Sequence, residues 1–462
     1  MTKELLLKNG TLVTAKDTVS ADLLIRDGHI AAFGKDLTTD GETRDVAGLL
    51  VMPGGIDTHV HLQHPVERLG VVTADDFYTG TVAAACGGTT CIIDFALQKK
   101  GDSIEEAIRR RMSEARQSVI DFSLHVILTD LRDEVLAEIP TFIEQGYVSY
   151  KLFTTFGDKR IDDGDLVKVF EQLAHHGGLA YVHCENDGAI AHLIRRCLAQ
   201  GETGPTGHLK SRPPVTEAEA ANRAIALADM MGAPICIAHV TSKETVEVIA
   251  TWANRGTNVF SETCPQYLSL NSEKLAPEHG FEAARYVCTP PLRDPEHQKA
   301  LWHALERGDV QQVSSDHSSF PVKDREMGRG NFTRIPNGLP GIETRLPILF
   351  SEGVVKGRFT ANRFVELVAT NPAKIFGLYP QKGSLVPGSD ADVVVMDPER
   401  RWVLDYRNLH QPVDYSPYEG MHLQGAPALT VSRGEIVAEN GVPRVERGRG
   451  QFVARARRSP RE

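Results

Sequence analysis

The segment Met52–His61, MPGGIDTHVH, ends a short apolar run on His59 and His61, two residues apart. Successive side chains of a strand alternate between faces, so this spacing turns both imidazoles to one side, able to grip one cation. An H-x-H pair alone carries little weight, since chance supplies many. Its context carries more. β-Branched runs recur at Leu49–His59, Thr89–Phe95, Phe122–Leu128, Val148–Phe153, Leu179–Cys184, Pro234–Val240, Asn258–Glu262 and Val310–Asp316. Helix-like stretches such as SIEEAIRRRMSEARQSV, TEAEAANRAIALADMM and SKETVEVIATWANRG lie between most of them. The first and third open on Ser followed by Glu, which suits an N-cap and a negatively charged first turn. Eight strand–helix units over roughly 330 residues predict an α/β fold, a (β/α)₈ TIM-type barrel. An open doubly wound sheet is the alternative, weakened because no Gly-rich phosphate loop follows the first strand.

Both flanks read differently. LLLKNGTLVTA and ADLLIRDGHIAAFG near the start centre on Asn-Gly or Asp-Gly, and GSLVPGSDADVVVMDP and APALTVSRGEIVAENGVP near the end repeat that style. Such dipeptides favour hairpin turns. One small β-sandwich assembled from both termini is therefore expected, with separate terminal modules as the alternative. The expected division is 1–52 for the first part of the sandwich, 53–377 for the barrel, 378–443 for the second part and 444–462 for a basic tail. That tail, RVERGRGQFVARARRSPRE, reads as a solvated, mobile end, with a subunit-packing arm as the other reading.

The 462 residues carry Lys+Arg 51 against Asp+Glu 61, a net charge of −10, which opposes general binding to a nucleic-acid backbone. No apolar run reaches the ~18 residues of a membrane span. The start, MTKELLLKNG, holds too short an apolar stretch for a signal peptide, so a cytoplasmic protein with neither a nucleic-acid nor a membrane partner is expected. Seven scattered cysteines without a C-x-x-C pair suggest neither a disulfide framework nor a zinc ribbon.

In a barrel of this type the C-terminal strand ends face the active site. Besides the two histidines, Lys151 (VSYKLF), His183 (LAYVHCE), His239 (ICIAHV) and Asp316 (QQVSSD) each close an apolar run. Singly, a buried His is more often a hydrogen-bonded core residue and a strand Lys usually reaches solvent. Together they would converge on one rim, where buried charge needs partners or a metal. An ammonium among imidazoles and a metal is disfavoured by desolvation and by like charge. A neutral Lys151 amine can instead add carbon dioxide, giving N6-carboxylysine, whose two oxygens could bridge metals ~3.5–4 Å apart. Four imidazoles, a carboxylate and a carbamate suit a pair of divalent ions, zinc first, with manganese or cobalt as alternatives.

The stretches PGGIDTHVHL, TADDFYTGTVAAACGGTT, YKLF, HCEN, HVTS, ETCPQYL, TPPLR, SSDHSSF, GRGNFTRIPNG and NPAKIFGLYPQKGSLVPGSDADVVVMDP follow one another along nearly the whole chain. With them the sequence resembles the hydantoinase/dihydropyrimidinase group of cyclic amidohydrolases, within the amidohydrolase superfamily, with allantoinases and dihydroorotases as cousins. The resemblance implies a barrel plus a terminal β-sandwich, and a homotetramer, with a homodimer as the alternative. It implies that His59, His61 and Asp316 hold one metal and His183 and His239 the other, carboxylated Lys151 bridging. It further implies hydrolytic opening of a 5-substituted hydantoin or a dihydropyrimidine to an N-carbamoyl amino acid. A metal-bridging hydroxide would attack the ring carbonyl, and Asp316 would pass the proton to the leaving nitrogen. The ring would be held by main-chain groups at the positions matching Thr289 and Asn337.

One position departs from the family pattern. Where many members carry a Tyr five residues after the bridging Lys, this chain has Phe156. A phenyl ring cannot donate to a developing oxyanion, and such a donor is typically worth ~10²–10³ in rate. Phe156 fits a hydantoinase of altered preference or an allantoinase-type ureide hydrolase; simple packing in the loop is its other reading. Leu62, Gln63 and His64, with Phe95 and Phe153, are candidates for the pocket around the exocyclic substituent. Glu185 and Asn186 are candidates for orienting ligands, and His317 for proton traffic. Cys264 would be a nucleophile only with an activating neighbour, which the sequence does not supply. A non-catalytic hydantoinase-like scaffold protein is the alternative from another class, and the six intact ligand positions disfavour it.

Overall fold

A computed structural model describes residues 3–459. Its centre is an eight-stranded sheet whose strands we number β1 (Gly55–Val60), β2 (Thr89–Leu97), β3 (Asp121–Ile127), β4 (Ser149–Phe153), β5 (Leu179–His183), β6 (Ile235–Ile237), β7 (Val259–Thr263) and β8 (Gln312–Val313). Every neighbouring pair is parallel, and the spatial order is the chain order. A parallel bridge between Val60 and His317, with the His61 N–H donating to the His317 carbonyl at 2.8 Å, ties the last strand's exit back to the first. The result is a nearly closed barrel. All residues of β1, β3, β4 and β5 are buried, as a parallel sheet covered by helices outside and side chains inside requires.

Helices return the chain between strands. Ser103 caps Ile104–Ala115 in a reciprocal capping box with Glu106, and Ser242 caps Lys243–Asn254 by accepting from the Thr245 N–H. No helix among the described residues is long and apolar enough to cross a membrane.

The two flanks form one nine-stranded sheet. Leu50–Pro53 is the seam, antiparallel to Val393–Val403 and parallel to Glu4–Val13. Residues from both ends, among them Leu7, Leu23, Ile25, Val51, Val393 and Val431, gather in one apolar cluster. Two expectations need correction here. The run Leu49–His59 is not one strand but two in different sheets, parted at Pro53-Gly54, where a Cβ on Gly54 would collide with the Thr90 side chain. Asn9-Gly10 is not a hairpin turn but a bulge inside Glu4–Val13, with Asn9 at φ 62° and Gly10 too close to Val51 (2.7 Å) for a side chain. Asp27-Gly28, at φ 48° and 83°, is the turn the sequence suggests.

The Arg-rich tail is also not a free end over its described part; Pro460–Glu462 lie outside the described residues. Val453 N–H donates to Phe122 O at 2.8 Å, Ala456 N–H to Gly377 O at 2.8 Å and Arg458 N–H to Gly177 O at 2.9 Å. Arg455 is buried and donates to Ser149 Oγ at 2.7 Å, at the entry of β4. The tail thus covers the N-terminal mouth of the barrel, opposite the strand ends that carry the site. Near that mouth Lys382 Nζ lies 2.8, 2.9 and 2.7 Å from carboxylate oxygens of Asp121, Asp390 and Asp392, joining the terminal sheet to β3.

Candidate metal centre

His59 sits in β1 and His61 one residue beyond it; Lys151 is central in β4, His183 ends β5, and His239 and Asp316 follow β6 and β8. The barrel brings all six into one cleft. Lys151 Nζ is 3.3 Å from His59 Nε2. Asp316 Oδ1 is 3.3 Å from the same nitrogen and 3.5 Å from His61 Nε2. The His183 and His239 ring centroids are 4.4 Å apart, and His239 is 5.3 Å from His59. His239 and Asp316 have φ of 35° and 48°, left-handed conformations unusual for such residues. Strain of this kind costs about 1–3 kcal/mol and persists only where the surrounding fold imposes it. Here it aims two side chains into the cleft.

The electrostatics suit cations. Burial, then neighbouring imidazoles and Lys151, holds His59, His61 and His239 well below the ordinary histidine pKa. Their neutral form is the ligating one. The Nδ1 atoms of His61 and His239 are buried with no hydrogen-bond partner among the described residues. Burial also lowers the Lys151 ammonium to about 8, against the pull of Glu262 and Asp316, and raises the Asp316 carboxyl well above its usual range. Neutral imidazoles gathered around a destabilised ammonium are what a metal pair and a modified lysine would relieve.

Three supporting residues escape the sequence reading. Glu262, fully buried at the end of β7, places Oε1 2.5 Å from His59 Nδ1 and accepts from the His239 N–H at 3.2 Å. The Tyr181 hydroxyl donates to the same carboxylate and lies 2.7 Å from His59 Nδ1. Asp57 accepts from the Ser315 N–H at 3.0 Å, clamping β1 to the residue before Asp316. Charged residues inside otherwise apolar strands were the available signal for Asp57 and Glu262.

Thr289, Asn337, Phe153, Phe156 and His64 line the cleft. Leu62 does not: it is fully buried behind the wall, against Gly80 of the helix Phe77–Cys86, because alternation that turns His61 inward turns its neighbour out. Gln63 is likewise outside the lining, and Phe95 stacks beneath His61 with centroids 4.6 Å apart. Glu185 meets His183 Nε2 at 2.9 Å, so it can set that ring's tautomer, whereas Asn186 caps Asp187–Ala199. Burial pushes the Cys264 thiol well above its usual pKa, which removes the nucleophile reading. His317 is fully buried between Asp75, at 2.9 Å, and the Gly341 N–H, at 3.1 Å, a structural tie.

Known proteins match this arrangement. The amidohydrolase family profile matches residues 50–437. The chain belongs to the amidohydrolase family. A D-hydantoinase of Geobacillus stearothermophilus is 46% identical over 462 residues, covering 99% of this chain and 97% of the relative. A D-hydantoinase of Streptomyces coelicolor is 42% identical over 465 residues, covering 99% of each. The crystal structure of dihydropyrimidinase from Brevibacillus agri superposes with a TM-score of 0.96 at 42% identity, covering 99% of this chain and all of that one (100%). Binuclear metal sites are general in the family, and in this amidohydrolase His59, His61 and Asp316 bring ligand atoms within 4.8 Å of one another.

Proposed function

We propose that this amidohydrolase opens the ring of a 5-substituted hydantoin or a dihydropyrimidine to an N-carbamoyl amino acid at a pair of divalent ions. The observation that carries the reading is the convergence of four imidazoles, one lysine and one carboxylate on a single cleft. Full-length likeness to proteins named D-hydantoinase supports the substrate class. His59, His61 and Asp316 would hold one ion and His183 and His239 the other; the donor set suits zinc, with manganese or cobalt as alternatives. When bound, the ions would acidify a water near neutral pH and polarise the ring carbonyl.

The chain's own groups do the rest. With its pKa lowered to about 8, the Lys151 amine is available unprotonated to add carbon dioxide, forming an N–C bond and losing a proton. The resulting N6-carboxylysine would replace a buried cation with an anion able to hold the two ions. Asp316, made basic by burial, accepts the proton of the attacking water and returns it to the ring nitrogen as the C–N bond breaks. Main-chain groups of Thr289 and Asn337, both of which line the cleft, would seat the ring. Phe156, its ring centroid 4.9 Å from that of His183, has no hydroxyl to offer the oxyanion. A cytoplasmic homotetramer, or failing that a homodimer, completes the proposal. The test is metal analysis followed by parallel assays with a 5-monosubstituted hydantoin, dihydrouracil and allantoin. Turnover of the hydantoin above the other two is expected. A protein that purifies metal-free and ignores added zinc would overturn the reading in favour of a scaffold protein, and faster allantoin hydrolysis would reassign the substrate.

A further inference from the structure

Two loops, residues 61–76 after β1 and 154–162 after β4, contribute charged side chains to the cleft beside the metal residues. Lys159, on the second loop, places Nζ 3.4 Å from His64 Nε2 on the first and 5.7 Å from the centre of the Phe153 ring. The His64 ring is in turn 5.0 Å, centroid to centroid, from that of His61. Lys159 therefore stands one imidazole away from the reaction centre. No carboxylate among the described residues lies within 4.0 Å of its Nζ. Burial holds its pKa below the usual lysine value, against the opposing pull of the Asp158 and Glu67 charges. Arg68 lines the same wall, with one N–H on the Thr333 carbonyl at 2.9 Å. Of the two acids there, Glu67 is already paired with Lys99 at 2.6 Å, and Asp158 is exposed.

We propose that the exocyclic arm of the substrate is anionic: a ring ureide with a short carboxylate-bearing arm, received by the Lys159 ammonium beside His64. This rests on the ring-opening reading above. The Phe153 ring offers an apolar wall for the methylene stem, and the ammonium supplies a charge-assisted hydrogen bond to the terminal carboxylate, roughly twice as strong as a neutral one. A purely aliphatic arm of the same length would cover the ammonium without pairing it, which costs affinity and rate.

The experiment compares kcat/KM for carboxyethyl hydantoin and its neutral isostere, carbamoylethyl hydantoin, in the metal-loaded enzyme. The wild type should favour the acid by roughly tenfold or more, the discrimination one such contact supplies. In Lys159→Met the ratio should fall towards one, chiefly through the KM of the acid; Lys159→Arg should keep it, and Lys159→Glu should turn it towards an aminopropyl arm. Turnover of the neutral isostere by each variant reports whether the fold and metals survive. A wild-type ratio near one, or a ratio that persists in Lys159→Met, overturns the anionic arm and leaves ring opening standing. Failure of the metal-loaded wild type to open either hydantoin, another 5-monosubstituted hydantoin or dihydrouracil overturns the ring-opening reading itself.

Discussion

Glu262 is the acceptor on which the orientation of His59 depends. Its carboxylate meets His59 Nδ1 at 2.5 Å, the His239 N–H at 3.2 Å and the Thr58 hydroxyl at 3.3 Å, besides the Tyr181 hydroxyl. All four neighbours can donate, so an acceptor-only group is required. In Glu262→Met the volume is nearly kept, but both acceptor oxygens are lost. The His59 ring then loses the partner that holds its other nitrogen towards Lys151 and Asp316, each 3.3 Å away. Loss of a partner behind a metal-binding histidine typically weakens metal affinity by about 10–100-fold, or ~1.4–2.8 kcal/mol. Zinc titration against a chromogenic chelator, with circular dichroism as a check on folding, reads this directly. A folded Glu262→Met protein that binds zinc within about twofold of the wild type would refute the positioning role.

Three further perturbations probe other parts of the molecule. Asp316→Asn should leave the fold intact and cut ring opening by about 10²–10⁴, the usual worth of a general acid–base; wild-type rates would reassign the base. Phe156→Tyr should raise dihydrouracil turnover by about tenfold or more if the new hydroxyl reaches the oxyanion, and an unchanged rate would show that the side chain only packs. Lys382→Met strands the buried carboxylates of Asp390 and Asp392 and leaves Asp121 with Arg433, 3.0 Å away, so the urea midpoint should fall by the equivalent of about 3–5 kcal/mol. An unmoved midpoint would mean that the stranded acids simply take up protons.

Legibility follows from how local the signal is. The barrel is readable because each buried parallel strand is an apolar run with a chemical residue at its exit, and the Ser103 and Ser242 caps announce their helices in sequence. The metal residues are readable for the same reason. What resists reading depends on partners distant in sequence. Asn9-Gly10 has the composition of a turn, but Val46 and Val51 packed against Gly10 decide that the strand bulges and continues. The tail looks solvated by charge, yet main-chain groups of Phe122, Gly146, Gly177 and Gly377 pair with it. Leu62 sits beside a ligand in sequence and behind the wall in space, because one residue along the chain reverses the face. Phe95 follows the same logic beneath His61.

Carboxylation of Lys151, proposed to give the anion that would hold a metal pair, has a direct spectroscopic signature. Apoprotein reconstituted with zinc in ¹³C-labelled bicarbonate reports on it by carbon NMR. A single carbamate carbon should appear in step with metal uptake and activity, and should be missing from Lys151→Ala, which should also lose its metal. Full metal loading and full turnover with no labelled carbamate, or with Lys151→Ala still active, would contradict the account.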